Sequence, residues 1–323
     1  MSTDTGTVGE SSGGGSASSS IHPGSIFAVA KKDFQDSVRS WLFWGLSALF
    51  FLLLVGIAGA LSYFGEDIAA QGATTDMLVV LVSQVTKWIV PLIALILGWK
   101  SIAGERESGS IKILLSLPHS RKDVVIGKLL GRSAVLSISL TVGFALAAVI
   151  VAAFLGGFDF VDYAGLLAMS IIYGIAYTTL AVSLSSLTRS TTIAGAAMFC
   201  VFLVFYGLWN GLGTVFRMLG QREFLFFDTV TYTREFQGRQ VTVERRQDWT
   251  YFITNLDPGQ AYNRGLTLLT DVDLLEQGSN FSAQMFGGEL PIYLQDWFSF
   301  MILLFWIIVP LAIALFRFDR VDI

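Results

Sequence analysis

The sequence predicts an all-α integral membrane protein with six transmembrane helices. Apolar residues make up 53% of its 323 residues and charged residues 14%, roughly half the charged share of an ordinary globular protein. Five long segments contain no charged residue and a sixth contains one, and each can cross a bilayer core as a helix of roughly 20 residues. The predicted spans are Trp41–Phe64, Met77–Trp99, Ser133–Phe158, Tyr163–Thr188, Ser190–Phe216 and Trp297–Phe316.

Two segments precede the first span. Met1–Gly24 is rich in Ser, Gly and Thr, and a segment with so little apolar surface to bury is predicted to be a disordered cytoplasmic tail. In Ser25–Ser40 apolar residues recur at helical spacing, which predicts a helix in the inner membrane interface; a plain juxtamembrane linker is the alternative. The apolar residues are Ile26, Phe27, Ala30, Phe34 and Val38, and those of the charged face are Lys31, Lys32, Asp33, Asp36 and Arg39.

The positions of Lys and Arg predict the orientation of the spans. With the N-terminus in the cytoplasm, thirteen Lys and Arg fall in cytoplasmic segments. None falls in the two short outer loops, Gly65–Asp76 and Asp159–Asp162. Because cytoplasmic loops carry the excess of positive charge, we expect a multi-pass protein of the plasma membrane with both termini cytoplasmic. This charge separation is a membrane feature and does not indicate a nucleic-acid partner.

The long segment before the last span, Arg217–Asp296, predicts a small extracellular subdomain. Thr229–Phe236 and Arg239–Arg245 alternate polar and apolar residues around Gln237-Gly238, which indicates a β-hairpin. Asp257-Pro258 is a helix-start signal. The predicted domains are the tail (1–24), the interfacial helix with five spans (25–216), the subdomain (217–296) and the sixth span with a short cytoplasmic C-terminus (297–323).

The loop between the second and third spans combines charge with an amphipathic pattern. Glu105, Arg106 and Glu107 directly follow the second span, and Gly109 permits a turn after them. The next residues predict a short amphipathic helix to which a soluble cytoplasmic partner can bind. Its apolar face comprises Ile111, Leu114 and Leu115. In the alternative interpretation the three charged residues are solvated flanks that only set the topology.

Missing motifs exclude several classes of enzyme. The sequence contains no G-x-x-x-x-G-K-[ST] loop, so the chain cannot bind ATP in the P-loop manner. It contains no H-E-x-x-H motif, and its only histidines, His22 and His119, lie outside the predicted spans. With Cys200 as the single cysteine, no redox-metal cluster can be assembled. We therefore expect a chain that is not an enzyme alone and binds no cofactor or metal.

The layout from Ile26 to Ile323 resembles that of ABC-2 type ABC transporter permeases. The resemblance is carried by Glu-x-x-x-Gly-Ser from Glu105, an aliphatic run, Pro118 and the basic pair Arg121-Lys122, an order similar to the coupling region of those permeases. Pro-x-x-Ala-Tyr from Pro258 resembles the segment before the last span in NosY-like members. The predicted hairpin departs from the shorter loops of that subfamily.

The resemblance implies the membrane subunit of an ATP-driven exporter. A separate ABC ATPase subunit would bind ATP and Mg²⁺, and a second permease, identical or related, would complete a dimer in the lipid membrane. ATP-driven closure would push the coupling helix and rock the spans between inward- and outward-open states. On this interpretation Glu105 and Arg106 present charge to the ATPase.

Polar residues within the spans are candidates for the translocation path. Lys87 is the only charged residue in a predicted span, and such groups usually face a cavity or a partner. Its neighbour Trp88 is typical of membrane interfaces, so snorkelling of Lys87 to the outer surface is the alternative. Gln84 and Asn210 complete the candidate path. A path this weakly polar suits an amphipathic or lipid-like cargo, whereas the NosY-like resemblance suggests a small sulfur species or another factor for metalloenzyme assembly.

Two other classes of protein compete with the transporter subunit. A secondary transporter is expected to show inverted repeats and several intramembrane charges, but the sequence shows no repeat and one lysine in a span. A membrane-anchored receptor or assembly protein that uses the extracellular subdomain needs neither feature. Dependence on ATP hydrolysis by a partner distinguishes the transporter subunit from both.

Overall fold

Among the residues that the computed structural model describes, six helices are long and apolar enough to cross a membrane, as the sequence predicts. The structure describes residues 21–39, 41–64, 74–110, 120–155, 158–222, 224–236, 239–272, 275, 280 and 282–318. Residues 1–20 of the predicted tail lie outside the described residues. So do Ile111, Leu114 and Leu115 of the predicted docking face.

The helices are α1 (Pro23–Val38), α2 (Trp41–Phe64), α3 (Thr74–Trp99), α4 (Ala103–Glu107), α5 (Arg121–Leu155), α6 (Phe160–Leu187), α7 (Thr191–Leu203), the π-helix (Val204–Trp209), α8 (Asn210–Gln221), α9 (Asp248–Asn255), α10 (Pro258–Gly265) and α11 (Asp296–Phe318). Spans one to four are α2, α3, α5 and α6, and the sixth span is α11. The fifth span consists of α7, the π-helix and α8. Short 3₁₀ turns lie at Leu266–Leu268 and Ile292–Leu294.

The two ends of the bundle differ in what they carry. One end, which we call the terminal face, holds α1, α4 and Phe318, the last described residue of the chain; Phe318 packs in a cluster with Ile102 and Val125. The opposite end, the hairpin face, holds strands β1 (Thr229–Phe236) and β2 (Arg239–Arg246). The strands pair antiparallel with Phe236 opposite Arg239, which confirms the predicted hairpin.

Helix α1 packs against α5 through a face that the sequence pattern does not indicate. Its buried residues are Val29, Asp33 and Ser37, whereas Phe27 is 68% exposed. A Cβ atom added to Gly127 would lie 2.7 Å from Val29 Cβ, and one added to Gly131 would lie 2.9 Å from Asp33 Cβ. The two glycines of α5 therefore admit α1 closely, and Asp33, assigned to the charged face by its pattern, is buried.

Helix α6 is the central span of the bundle. In its apolar stretch 72% of the residues are buried, against 17% in the fifth span. Several of its buried hydroxyl groups donate to carbonyls of the same helix, as in Ser170 to Leu166 (2.6 Å) and Thr178 to Gly174 (2.8 Å). Because lipid offers no hydrogen-bond partner, these internal bonds allow polar side chains in the centre of the bundle.

Part of the segment predicted as an extracellular subdomain belongs to the bundle core. Asp257 accepts a hydrogen bond from Gln260 N (2.9 Å) and caps α10, which confirms the predicted helix start at Asp257-Pro258. In α10, Ala261 and Tyr262 are fully buried. Tyr262 stacks on Tyr173 of α6 with ring centroids 4.6 Å apart. Helix α10 is thus inserted among the spans.

Candidate functional site

The turn that follows the second span is anchored on α6 by one serine. Ser185 Oγ accepts hydrogen bonds from Ile102 N (3.1 Å) and Ala103 N (3.0 Å). The same hydroxyl donates to Trp99 O (2.8 Å). Ser185 therefore provides hydrogen-bond partners for a carbonyl at the end of α3 and for two N–H groups at the start of α4. Helix ends leave such backbone groups without partners.

Glu105 joins a buried charge network that spans three helices. Lys128 Nζ of α5 donates to Glu105 Oε1 of α4 (2.6 Å) and to Asp33 Oδ1 of α1 (3.0 Å). Arg132 Nη2 donates to the same Asp33 oxygen (3.2 Å). Asp33 is 4% exposed and Lys128 8%. We call Asp33, Glu105, Lys128 and Arg132 the charge network; its two acids and two bases balance, as buried charges require.

Arg106 and Glu107 connect α4 to three further spans. Arg106 Nη1 donates to Thr188 O at the end of α6 (3.0 Å), and its guanidinium lies 4.7 Å from the Phe318 ring centroid in α11. Glu107 Oε2 accepts from Thr191 N, the first residue of α7 (2.8 Å). A carboxylate is favourable at a helix N-terminus, where backbone N–H groups are unsatisfied. Three consecutive side chains thus link α4 to α5, α6, α7 and α11.

The coupling role of Glu105, Arg106 and Glu107 stays a prediction, as does the alternative that they only set the topology. Glu105 and Arg106 are half-buried against the bundle, Glu107 is exposed, and each of the three bonds to a different helix. Sequence reasoning missed Asp33, Lys128 and Ser185, whose pairing across long stretches of chain has no local signal. Gly109 has φ of 75°, a left-handed conformation that favours glycine. The chain therefore turns just before the predicted docking helix.

A second group of polar contacts lies within the membrane-spanning part, around the backbone of Lys87. Pro91 lies inside α3, and because proline has no N–H, the carbonyl four residues earlier, Lys87 O, loses its helical donor. Tyr173 Oη of α6 donates to this carbonyl (3.0 Å), and Tyr206 Oη of the π-helix does so too. The proline thereby creates an acceptor that joins the second, fourth and fifth spans.

The Lys87 side chain faces α10. It is 7% exposed, and a Cβ atom added to Gly259 would lie 2.7 Å from Lys87 Cε and 3.1 Å from Asp257 Oδ2. The side chain of Lys87 is therefore packed against α10 inside the protein. Gln84 lies on a different, exposed side of α3. Asn210 caps the π-helix, donating from Nδ2 to Phe205 O (2.9 Å), so the structure does not bring the three path candidates to one surface.

Two cavities adjoin these residues. A polar cavity of about 220 Å³ lies at the hairpin face, where Asn210, Arg246, Asp257 and Arg264 contribute to its wall. Burial raises the pKa of Asp257 to about 6, although the positive charge of Lys87 acts in the opposite direction. An apolar groove of about 370 Å³ lies between α3 and α7. It is lined by Leu92, Leu95, Ile96, Trp99, Gly195, Met198, Phe199 and Phe202.

Comparison with known proteins agrees with this layout. Residues 27–323 match the family described as ABC-2 family transporter protein. The chain is 30% identical over 191 residues to the Probable ABC transporter permease protein NosY of Pseudomonas aeruginosa, covering 57% of this chain and 65% of that relative. It is 28% identical over 185 residues to the protein of the same name from Stutzerimonas stutzeri, covering 55% and 66%. The chain thus spans slightly less than two thirds of the curated relatives it matches.

Proposed function

The chain belongs to the ABC-2 family of transporter proteins, and on that premise we propose that it is the membrane permease subunit of an ATP-driven exporter. A separate ATPase subunit binds and hydrolyses ATP, and this chain converts the resulting movement into alternating access. The names of the two relatives support a permease role. The chain itself carries no P-loop motif, so the ATPase has to be a partner.

The observation that carries this proposal is the set of bonds made by α4. A partner that moves the predicted docking helix pulls on α4, which directly precedes it. Glu105, Arg106 and Glu107 then transmit that movement to four spans and to α1. Coupling between distant sites requires such a connection through elements that move together. The same bonds would be superfluous in a loop that only sets topology.

We further propose that two permease subunits associate along the fifth span. This span is the least buried of the six. Cβ atoms added to Gly207 and Gly211 would meet nothing within 4 Å, so this side of the span is free to pack on a second copy. The neighbouring apolar groove between α3 and α7 would then lie beside the seam, in keeping with an amphipathic or lipid-like cargo.

We infer that the terminal face is cytoplasmic in the plasma membrane. The positive-inside distribution supports this orientation. It can be measured in intact cells by single cysteines at Ser110 and Ser279 in a Cys200→Ser background. A membrane-impermeant maleimide is expected to label position 279 and to spare position 110. Labelling of position 110 alone would reverse the orientation.

The test of the transporter role is ATP hydrolysis in a purified complex. We expect the tagged chain to co-purify with an ATPase encoded beside it, and vanadate-sensitive ATP hydrolysis to appear only when both subunits are reconstituted in liposomes. The chain alone serves as the control. Hydrolysis by the chain alone, or function that is independent of any ATPase, would support the enzyme or secondary-transporter alternatives instead.

A further inference from the structure

The polar cavity at the hairpin face contains more positive than negative charge. Its wall is formed by the start of α8, the end of β2 and residues of α9 and α10. Arg246 and Arg264 contribute guanidinium groups, and Asp257 is the only carboxylate among the described residues that line it. Two arginines against one acid leave the cavity electropositive in a part of the molecule that is partly withdrawn from water.

Arg246 is placed as a ligand-binding residue would be. Its guanidinium lies 4.4 Å from the Tyr251 ring centroid, and its Nη1 atom would be 3.1 Å from a Cβ atom added to Gly213. The bare backbone of α8 therefore leaves the room that this group occupies. Nη1 is buried and has no hydrogen-bond partner within the described parts of the chain. A buried donor without an acceptor is costly and rare in native proteins.

The adjacent residue, Arg245, provides the contrast. Arg245 forms an ion pair with Asp248, and its guanidinium lies 4.4 Å from the Phe286 ring centroid. Within the described residues Arg246 has no ion pair with a carboxylate. The two arginines share a charge and a strand, but only Arg246 lines the cavity. Position 245 is accordingly a matched control for position 246.

Arg264 supplies the second positive charge. Its Nη1 atom donates to Leu294 O (3.1 Å), which fixes the side chain against the 3₁₀ turn before α11. Burial lowers the pKa of Arg264, and the nearby carboxylate of Asp296 opposes that change. Since arginine stays charged in proteins, the cavity retains this fixed positive group.

We propose that this cavity binds a small oxyanion group, of the phosphate, sulfate or carboxylate type, with Arg246 as its main ligand and Arg264 as a supporting charge. The planar guanidinium presents paired N–H donors that match two oxygens of such a group. A volume of about 220 Å³ accommodates one group of this size. The group belongs either to a free solute or to a lipid headgroup reaching the end of the fifth span. The site does not depend on the proposed ATP-driven role.

The test compares free anions with anionic lipid on the purified full chain. Calorimetric titration with sodium sulfate and with inorganic phosphate measures binding of free anions. Native mass spectrometry from nanodiscs of phosphatidylglycerol, against nanodiscs of phosphatidylcholine, measures headgroup binding. Arg246→Gln is expected to raise the Kd of the anion or lipid that binds about tenfold to a hundredfold, because charged hydrogen bonds are lost. Arg245→Gln is expected to leave it unchanged.

Each outcome of this comparison bears on the proposal. Saturable binding of sulfate or phosphate identifies a solute site, and selective retention of phosphatidylglycerol identifies a headgroup site. Either result supports the proposal when Arg246→Gln reduces binding and Arg245→Gln does not. Equal loss in both arginine variants, or no saturable binding in any arm, overturns it. If Arg246→Gln lowers the melting temperature, Arg246→Lys replaces it, since lysine keeps the charge but lacks the paired donors.

The pH dependence provides a second readout. Asp257 has a pKa of about 6, so protonation removes the opposing negative charge as pH falls from 7 to 5. Sulfate does not titrate in this range and is expected to bind more tightly at pH 5. The charged groups around Asp257 are Lys87, Arg246 and Arg264. The surrounding tyrosines are Tyr173, Tyr177 and Tyr206.

Asp257→Asn preserves the cap of α10 and is expected to abolish the pH dependence of sulfate binding. A pH dependence that persists in this variant counts against the proposed site.

Discussion

Replacing Lys128 with methionine is expected to lower the free energy of unfolding by about 3–5 kcal/mol, because it leaves the buried carboxylate of Asp33 and the half-buried carboxylate of Glu105 without their shared cation. Lys128 Nζ is the atom that joins Asp33 to Glu105, and Asp33 is 4% exposed. Arg132 would still contact Asp33, but Glu105 would lose its only described ion pair. The loss is measurable as a shift in the SDS-unfolding or thermal-unfolding curve of the purified chain in detergent.

Lys32→Met is the matched control for this change. Lys32 belongs to α1, beside Asp33, but its side chain is exposed, so its removal is expected to alter stability very little. Adding Glu105→Gln to Lys128→Met should recover part of the lost stability, because Glu105 then carries no charge and Asp33 keeps Arg132 as its partner. Equal stability of the Lys128 and Lys32 variants would show that the charge network does not hold α1 and α4 to α5.

Replacing Leu114 and Leu115 together with aspartate is expected to abolish binding of the ATPase subunit. Both residues lie on the predicted apolar docking face, and burying an unpaired charge at an interface costs about 3–5 kcal/mol, a loss of about a hundredfold to several thousandfold in affinity. The membrane fold is expected to survive because the changes lie between the second and third spans. Co-purification of the ATPase with the tagged permease measures the effect.

Ser116→Asp is the control for that double variant. It adds a negative charge to the other face of the same predicted helix, where it should not enter the interface. We expect the Ser116 variant to retain the ATPase and its activity. Full retention of the ATPase by the Leu114, Leu115 double variant would mean that the partner binds elsewhere on the chain.

The hydrophobic pattern predicted the spans well but placed some of their ends poorly. The third span begins at Arg121, twelve residues before the charge-free segment that starts at Ser133. Its first turn is fixed by reciprocal bonds between Ser120 and Asp123, a capping box whose Ser-x-x-Asp signal is readable in the sequence. The extension carries Lys128 and Arg132, and so it positions the charge network.

Other parts of the site have no signal in a single sequence. The π-helix at Val204–Trp209 interrupts a span whose predicted range, Ser190–Phe216, holds no charged residue, so periodicity gives no indication of it. The burial of Asp33 depends on Gly127 and Gly131 nearly a hundred residues away. The sequence identified the charged turn at Glu105 to Glu107, because a charged segment after a long apolar run is a local feature. The bonding partners of those residues are a property of the packed bundle.

The backbone and the side chain of Lys87 have separate roles: the carbonyl accepts hydrogen bonds from two tyrosines, and the side chain faces α10. Tyr173 and Tyr206 bind the main-chain carbonyl that Pro91 leaves free, so these bonds are indifferent to which side chain residue 87 carries. Sequence change at position 87 can alter the charge facing α10 while the tyrosine contacts persist. The tyrosine contacts depend instead on Pro91, one helical turn away. Any other residue at position 91 restores a backbone N–H that can compete for the Lys87 carbonyl. Persistence of the tyrosine contacts when residue 87 is changed, and their weakening when Pro91 is replaced, would be the signature of this division.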